Sequence, residues 1–137
     1  MILRSVPSSN AHRINFNLLL VFQVSFVRAM KECIRAGGFL ADMKDVAEKD
    51  ELVKLAKRQI PRYPRQLWVA MATLGLDGRP VWLTSENPIP NRLWATGKPE
   101  NTQNCTKTCG SLDWKKPPTG LRIGSCAYQR YFICEFP

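Results

Sequence analysis

The sequence predicts an α+β domain, and three observations along the chain support that class. Two helical patterns lie in the first half, strand-like runs begin after residue 66, and a long segment rich in Asn, Pro, Gly, Thr and Lys precedes two closing strands. A chain in which the helices precede the strands is typical of an α+β domain. With 137 residues, the chain has room for one domain of ordinary size. We expect two helices with small antiparallel sheets and a long loop region.

The first 24 residues show no clear amphipathic period and predict a disordered or poorly packed leader. Arginines precede a short apolar run, Leu18–Phe22, which is also the order of a secretory signal. The most apolar stretch, residues 14–27, is interrupted by polar side chains and is too short to span a membrane. We therefore predict a disordered or signal-like leader at residues 1–24 and a folded domain at residues 25–137.

The predicted helices carry recognisable start and stop signals. Ser25 can cap a first helix whose apolar residues recur with helical spacing, and Gly37-Gly38 can stop it. Asp45 followed by Glu48 has the spacing of a capping box and opens a second helix that Pro61 ends. Both helices are thus delimited by the sequence alone.

Strand-like runs follow in the second half. Residues 68–71 and 81–84 read as strands on either side of the turn signal Asp77-Gly78, and closing strands are predicted around residues 121–123 and 131–133. Residues 85–120 hold few apolar runs and predict an irregular segment. Long irregular segments in small domains are uncommon and often functional.

The charge balance favours anionic partners without naming one. Twenty basic and 11 acidic residues give a net charge of +9, spread over both halves of the chain. No nucleic-acid-binding pattern accompanies this charge, so a specific nucleic-acid partner is not expected. The single histidine, His12, lies in the leader, and the acids Glu86, Glu100 and Asp113 show no paired spacing. We therefore expect a protein that is not an enzyme.

Five cysteines, one early and four late, are the most informative part of the composition. Zinc sites usually show two tight cysteine pairs, whereas only Cys105 and Cys109 are close together here. A disulfide framework with one cysteine left over fits better, and it implies an oxidising, extracellular location. Five thiols in a cytosolic protein are the alternative.

From about Ser25 to Glu135, the order of motifs resembles the C-type lectin-like domain. The resemblance rests on Gly37-Gly38-Phe39-Leu40-Ala41 after the first helix, Trp68-Val69-Ala70, Gly78 followed by Trp82, Trp94-Ala95-Thr96-Gly97 with Pro99, and Phe132-Ile133-Cys134-Glu135. The family pairing implies disulfides Cys33–Cys134 and Cys105–Cys126. Cys109 is then unpaired, and it is a free thiol, a link to a second chain in a dimer, or an alternative partner for a neighbouring cysteine.

The resemblance also locates the calcium site of the sugar-binding members, and this sequence departs from it. The family's ligand triplet reads Lys98-Pro99-Glu100, the next ligand position holds Gln103, and the final pair falls within Leu121-Arg122-Ile123. Calcium takes six to eight oxygen ligands. Only Glu100 and Gln103 remain of five expected ligands, so we predict no bound metal and no other cofactor.

The resemblance implies a secreted, non-enzymatic recognition module that binds glycans, and the lost ligand positions predict that it does so without calcium. Lys98, Arg122, Lys115 and Lys116 form a predicted cationic patch for acidic glycans, with Glu100 and Gln103 beside it. The alternatives are a merely solvated loop, or a domain that binds a protein surface through apolar positions such as Ile89 and Leu93.

Two further features of the loop region remain open. Trp68, Trp82 and Trp94 are expected in the core by the resemblance, while Trp114 is a candidate for stacking on sugar. Asn104 precedes Cys105 and Thr106 in a rare variant of the glycosylation sequence.

Overall fold

A computed structural model describes residues 2–7, 13–59, 66–73, 78–95, 107–115 and 117–137. Within these residues the chain forms helices α1 (Phe26–Arg35) and α2 (Val46–Gln59), a 3-10 helix (Asn91–Leu93) and the strands β1 (Ile2–Pro7), β2 (Arg13–Val24), β3 (Phe39–Leu40), β4 (Gln66–Thr73), β5 (Pro80–Trp82), β6 (Lys107–Asp113), β7 (Gly120–Ser125) and β8 (Arg130–Phe136). The predicted α+β class is confirmed. No helix of this described part is long and apolar enough to cross a membrane.

Helix α1 begins and ends where its capping residues predict. The Ser25 hydroxyl accepts a hydrogen bond from the Arg28 backbone N–H at 3.4 Å. After the helix, Gly37 adopts a left-handed φ of +94°, which glycine tolerates without the steric cost of a side chain. The apolar face of α1 buries Phe26, Ala29 and Cys33.

Helix α2 begins at the predicted capping box. The Asp45 side chain accepts a hydrogen bond from the Glu48 N–H at 2.9 Å, and the Glu48 carboxylate accepts one from the Lys44 N–H at 2.7 Å. The helix then buries Leu52, Leu55 and Ala56 against the sheet.

The eight described strands form one sheet in the order β1-β2-β8-β4-β6-β7, with β3 paired to β8 and β5 paired to β4. Only the contact between β4 and β8 is parallel among these pairs. The predicted strands around residues 68–71, 81–82, 121–123 and 131–133 are confirmed, while Leu83 and Thr84 belong to a turn. Two apolar clusters flank the sheet, one around α2 and one around α1.

Strand β6 crosses the segment that the sequence predicted to be irregular, so that prediction was wrong for residues 107–113. The strand lies between β4 and β7, although its residues are mostly small or polar. A Cβ at Gly110 would overlap the Met71 side chain, so the glycine permits this close approach. The Ser111 hydroxyl donates to Gln66 Oε1 at 2.6 Å. Because its residues are mostly small or polar, β6 lacks the alternating apolar pattern from which a strand could be predicted.

Residues 2–7 and 13–24 form strands, which differs from the disorder predicted for the leader. Strand β2 pairs antiparallel with β8, with Asn15 opposite Phe136 and Leu19 opposite Phe132. Sheet pairing uses backbone groups, so the asparagines that interrupt the apolar run do not prevent it. The sheet therefore includes residues that precede Ser25.

The two disulfides are intrachain, and one of them differs from the prediction. Cys33–Cys134 joins α1 to β8, as the resemblance implied, with 5.4 Å between the Cα atoms. Cys126 bonds to Cys109 across 5.1 Å, so the predicted Cys105–Cys126 pairing was wrong. Because the register of β6 and β7 places Cys109 opposite Gly124, two positions from Cys126, the short bond closes there.

This correction changes which cysteine is left over. Cys109 is neither a free thiol nor the link of a dimer. Four of the five cysteines are used in the two disulfides, which makes Cys105 the odd one. Cys105 itself lies outside the described residues.

Candidate functional site

The structure describes two members of the predicted binding set. Lys115 is exposed just after β6, and Arg122 lies in β7. The other predicted positions lie outside the described residues: Lys98, Glu100, Gln103, Asn104 and Lys116. The described part of the candidate site is therefore the end of the β6–β7 pair.

Arg122 forms an ion pair instead of presenting a free charge. Its Nε donates to Asp113 Oδ2 at 2.7 Å, and the Asp113 side chain is 1% exposed against 28% for Arg122. Arg122 lies opposite Ser111 in the strand register, which makes Asp113 its diagonal neighbour. A buried carboxylate requires such a partner. Arg122 is thus held by an ion pair within the fold, whereas the sequence predicted it as a ligand contact in the cationic patch.

A second cation, Lys49, also contacts other groups of the protein near this end of the β6–β7 pair. Lys49 of α2 is 8% exposed and directs its ammonium to Thr119, 3.4 Å from the carbonyl oxygen and 3.2 Å from the hydroxyl. Its Nζ lies 3.5 Å from Asp50 Oδ1. Lys49 therefore fastens α2 to the start of β7.

The described half of the family's calcium position does not fit a calcium ion. Leu121 is fully buried and Ile123 is apolar. The residue between them in the sequence, Arg122, carries a guanidinium group. Calcium requires several oxygen ligands, and an adjacent guanidinium repels a divalent cation. No group of three potential metal-ligating acids, histidines or cysteines occurs among the described residues.

The described tryptophans and apolar loop positions belong to the core. Trp68, Trp82 and Trp114 are buried, and Trp94 packs partly buried against the cluster around α2. Trp114 therefore does not offer a face for stacking on sugar. The indole N–H of Trp114 has no hydrogen-bond partner within the described structure. Ile89 and Leu93 are also buried, which removes them as surface contacts for a protein partner.

A pocket that the sequence did not predict lies beside α1, among residues of the apolar cluster around that helix. It has a volume of about 720 Å³ and lies between α1, β3, the turn after β5 and the end of β8; we call it the helix-side pocket. Its apolar walls include Met30, Ile34, Phe39, Leu83 and Phe136. Asp42, Thr84 and Glu135 provide its polar groups.

Two carboxyl groups meet in the helix-side pocket. Glu135 Oε1 accepts a hydrogen bond from the Asp42 backbone N–H at 3.0 Å, and the Thr84 hydroxyl donates to Asp42 Oδ2 at 2.6 Å. Burial, followed by the proximity of the Asp42 carboxylate, raises the pKa of Glu135 to about 8. Phe39, part of the Gly37-to-Ala41 motif, lines this pocket with 54% of its surface exposed.

Solved structures of similar fold extend over nearly the whole chain. The C-type lectin CEL-I from Cucumaria echinata matches with a TM-score of 0.75 and 18% identity, covering 89% of both chains. A calcium-independent type II antifreeze protein matches with a TM-score of 0.72 and 16% identity, covering 96% of this chain and 95% of the other. At such low identity these likenesses show the fold alone.

Sequence comparison identifies the family. A pulmonary surfactant-associated protein D of Sus scrofa is 26% identical over 121 residues, which cover 84% of this chain and 29% of that protein. The match thus spans less than a third of the length of this relative. The model of the Lectin C-type domain matches residues 22–136. Members of this family are generally non-enzymatic recognition modules, and this chain belongs to the C-type lectin domain family.

Proposed function

We propose that this protein is a secreted, non-enzymatic module that binds acidic glycans without calcium. The observation that carries the proposal is the ion pair between Arg122 and the buried Asp113. It lies in the strand where the sugar-binding members of the family supply calcium ligands. A site closed by an arginine needs a different means of holding a sugar.

The charge of the protein supports an acidic ligand. The chain carries a net charge of +9, and Lys115 is exposed immediately after the strand that holds Asp113. We assign Lys98, Lys115 and Lys116 to ligand contact, and Arg122 mainly to the support of this surface. Exposed lysine contacts with sulfate or carboxylate contribute about 1 kcal/mol each and weaken with salt.

The absence of a metal requirement is compatible with the fold. One structural neighbour with a TM-score of 0.72 is described as a calcium-independent type II antifreeze protein. In the present chain, two disulfides and the two apolar clusters around α1 and α2 provide constraints that do not depend on a metal.

Secretion is proposed from the disulfides. Cys33–Cys134 and Cys109–Cys126 both close within the chain, and such bonds form and persist in oxidising compartments. A dimer joined through Cys109 has no place in this proposal, because that cysteine already has its partner.

Charge reversal tests the proposed contact surface. The triple variant Lys98→Glu, Lys115→Glu and Lys116→Glu should bind a sulfated glycan such as heparin roughly tenfold to a hundredfold more weakly in a fluorescence titration. The matched control reverses three exposed lysines on the helices, Lys31, Lys54 and Lys57, and changes the net charge equally. An equal loss in both triples would show a net-charge effect and contradict the assigned surface.

A further inference from the structure

The helix-side pocket has the size and the mixed lining of a small-molecule site. Its volume of about 720 Å³ lies within the roughly 300–1,000 Å³ range of ligand pockets. Ile34 and Phe39 line it, yet 59% and 54% of their surfaces remain exposed. Large apolar side chains left open around a cavity are a typical feature of ligand sites.

The polar groups of the pocket favour the binding of a cation. Among the described residues that line the pocket, Asp42 and Glu135 are the only ones with ionisable side chains, and none is a lysine or arginine. The Asp42 backbone N–H donates to Glu135 Oε1, and the Thr84 hydroxyl donates to Asp42 Oδ2. This arrangement leaves the two acids without a lining cation to balance them.

We propose that the helix-side pocket binds a small organic amine whose ammonium group contacts Asp42 and Glu135 and whose apolar body packs on Phe39 and Ile34. An ammonium group donates three hydrogen bonds, which suits two adjacent carboxylates. An aryl or alkyl body covers the exposed apolar rim and is removed from water. This inference is independent of glycan binding, because the pocket shares no residue with the proposed glycan surface.

The protonation of Glu135 should make the affinity for the amine depend on pH. Its raised pKa of about 8 means that an amine bound near neutral pH competes with a proton. The neighbouring charges are Asp42, and Glu48 of α2, whose carboxylate lies 3.9 Å from the Lys44 ammonium. Affinity for the amine should therefore rise with pH up to about pH 8, by at most tenfold per pH unit.

Calorimetric titration of the whole chain tests the proposal with three probes of similar shape. 2-Phenylethylammonium should bind, whereas the anion 3-phenylpropionate and the neutral 3-phenylpropanol should bind at least about tenfold more weakly. The isosteric variants Glu135→Gln and Asp42→Asn should each weaken the ammonium about tenfold while the folded spectrum is retained. Equal affinity for the three probes, or no detectable ammonium binding at about 10 mM, would overturn the proposal.

A matched pair of apolar variants tests the walls without disturbing the core. Ile34→Ala removes a pocket side chain, whereas Val27→Ala removes one of similar exposure elsewhere on the same helix, 55% against 59%. We expect only Ile34→Ala to weaken the ammonium. A concentration-dependent dimer that Ile34→Ala disrupts would assign this surface to a second copy of the chain and contradict the proposal.

Discussion

The end of the β6–β7 pair and the helix-side pocket both place carboxyl groups below the surface, and they differ in what balances the charge. Asp113 is buried beside Arg122 at 2.7 Å, so its charge is compensated within the fold. Asp42 and Glu135 share a pocket that no lysine or arginine lines among the described residues. One site is therefore closed by a structural ion pair, and the other is open to a proton or a cation.

The difference in charge compensation indicates where each region can interact with other molecules. Removing charge from water is costly unless a partner compensates it. At the β6–β7 end the partner is an arginine of the same sheet, so our proposal assigns ligand contact to Lys115 and to the lysines at positions 98 and 116. In the helix-side pocket the missing partner is supplied by the proton that a pKa of about 8 retains on Glu135.

Cys33–Cys134 joins α1 to β8, Cys109–Cys126 joins β6 to the residue after β7, and removing these disulfides should give the largest effects. The Cys33→Ala and Cys134→Ala double variant opens a link across 101 residues, and should lose about 4–5 kcal/mol of unfolding free energy. The Cys109→Ala and Cys126→Ala double variant opens a link across 17 residues and should lose about 3 kcal/mol. Urea unfolding measures both, and the reverse order would contradict this comparison.

Breaking the ion pair tests whether Arg122 stabilises the fold by compensating the charge of the buried Asp113 carboxylate. Arg122→Leu leaves the buried Asp113 carboxylate without its partner on β7 and should cost about 2–3 kcal/mol, less than a fully buried pair because Arg122 is partly exposed. The matched control Arg92→Leu, at an exposed position in the 3-10 helix, should stay within about 0.5 kcal/mol. Equal stability of the two variants in urea would show that Arg122 is only a surface cation.

The pH dependence of stability tests whether Glu135 in the helix-side pocket takes up a proton when the protein folds. Glu135 binds a proton more tightly in the folded state, because its pKa rises from about 4.3 to about 8 on folding. Its contribution to stability is complete below about pH 4 and is lost as the pH rises toward 8. The Glu135→Gln variant should lack this decline, whereas Glu86→Gln, at an exposed position, should retain it.

Thermal unfolding at a series of pH values from 5 to about 8.5 measures this slope. A decline of the same size in Glu135→Gln and in the unmodified protein would mean that Glu135 does not hold the proton. The account of the helix-side pocket would then lose its explanation for pH-dependent amine binding.

The odd cysteine should have the smallest effect on stability. With Cys33, Cys109, Cys126 and Cys134 in disulfides, thiol titration of the unfolded, unreduced chain should find one thiol, from Cys105. Cys105→Ala should remove that thiol and leave the unfolding free energy within about 0.5 kcal/mol. A count of zero would instead indicate that Cys105 links two chains.

The sequence predicted the helices because their signals are local. Ser25, Gly37 and the pair Asp45 and Glu48 act within a few residues of the helix ends, so no tertiary information is needed to read them. The cysteine order and the motif order identified the family. Those features extend over most of the chain, so they do not depend on any one position.

The missed features all depend on contacts between distant segments. Strand β6 is stabilised by its neighbours, through the close approach of Gly110 to Met71 and the hydrogen bond from Ser111 to Gln66, and not by an apolar alternation of its own. Without β6, neither the Cys109–Cys126 bond nor the Arg122–Asp113 pair can be inferred. The helix-side pocket joins Asp42 to Glu135, which lie 93 residues apart.

Glycan binding measured with and without calcium tests the central proposal most directly. A glycan array probed once with calcium and once with a chelator should show the same acidic glycans bound at the same strength. The physical reason is that the Arg122–Asp113 pair closes the strand position where calcium ligands would lie. Binding that disappears with the chelator, or an array without any acidic glycan bound, would contradict the account.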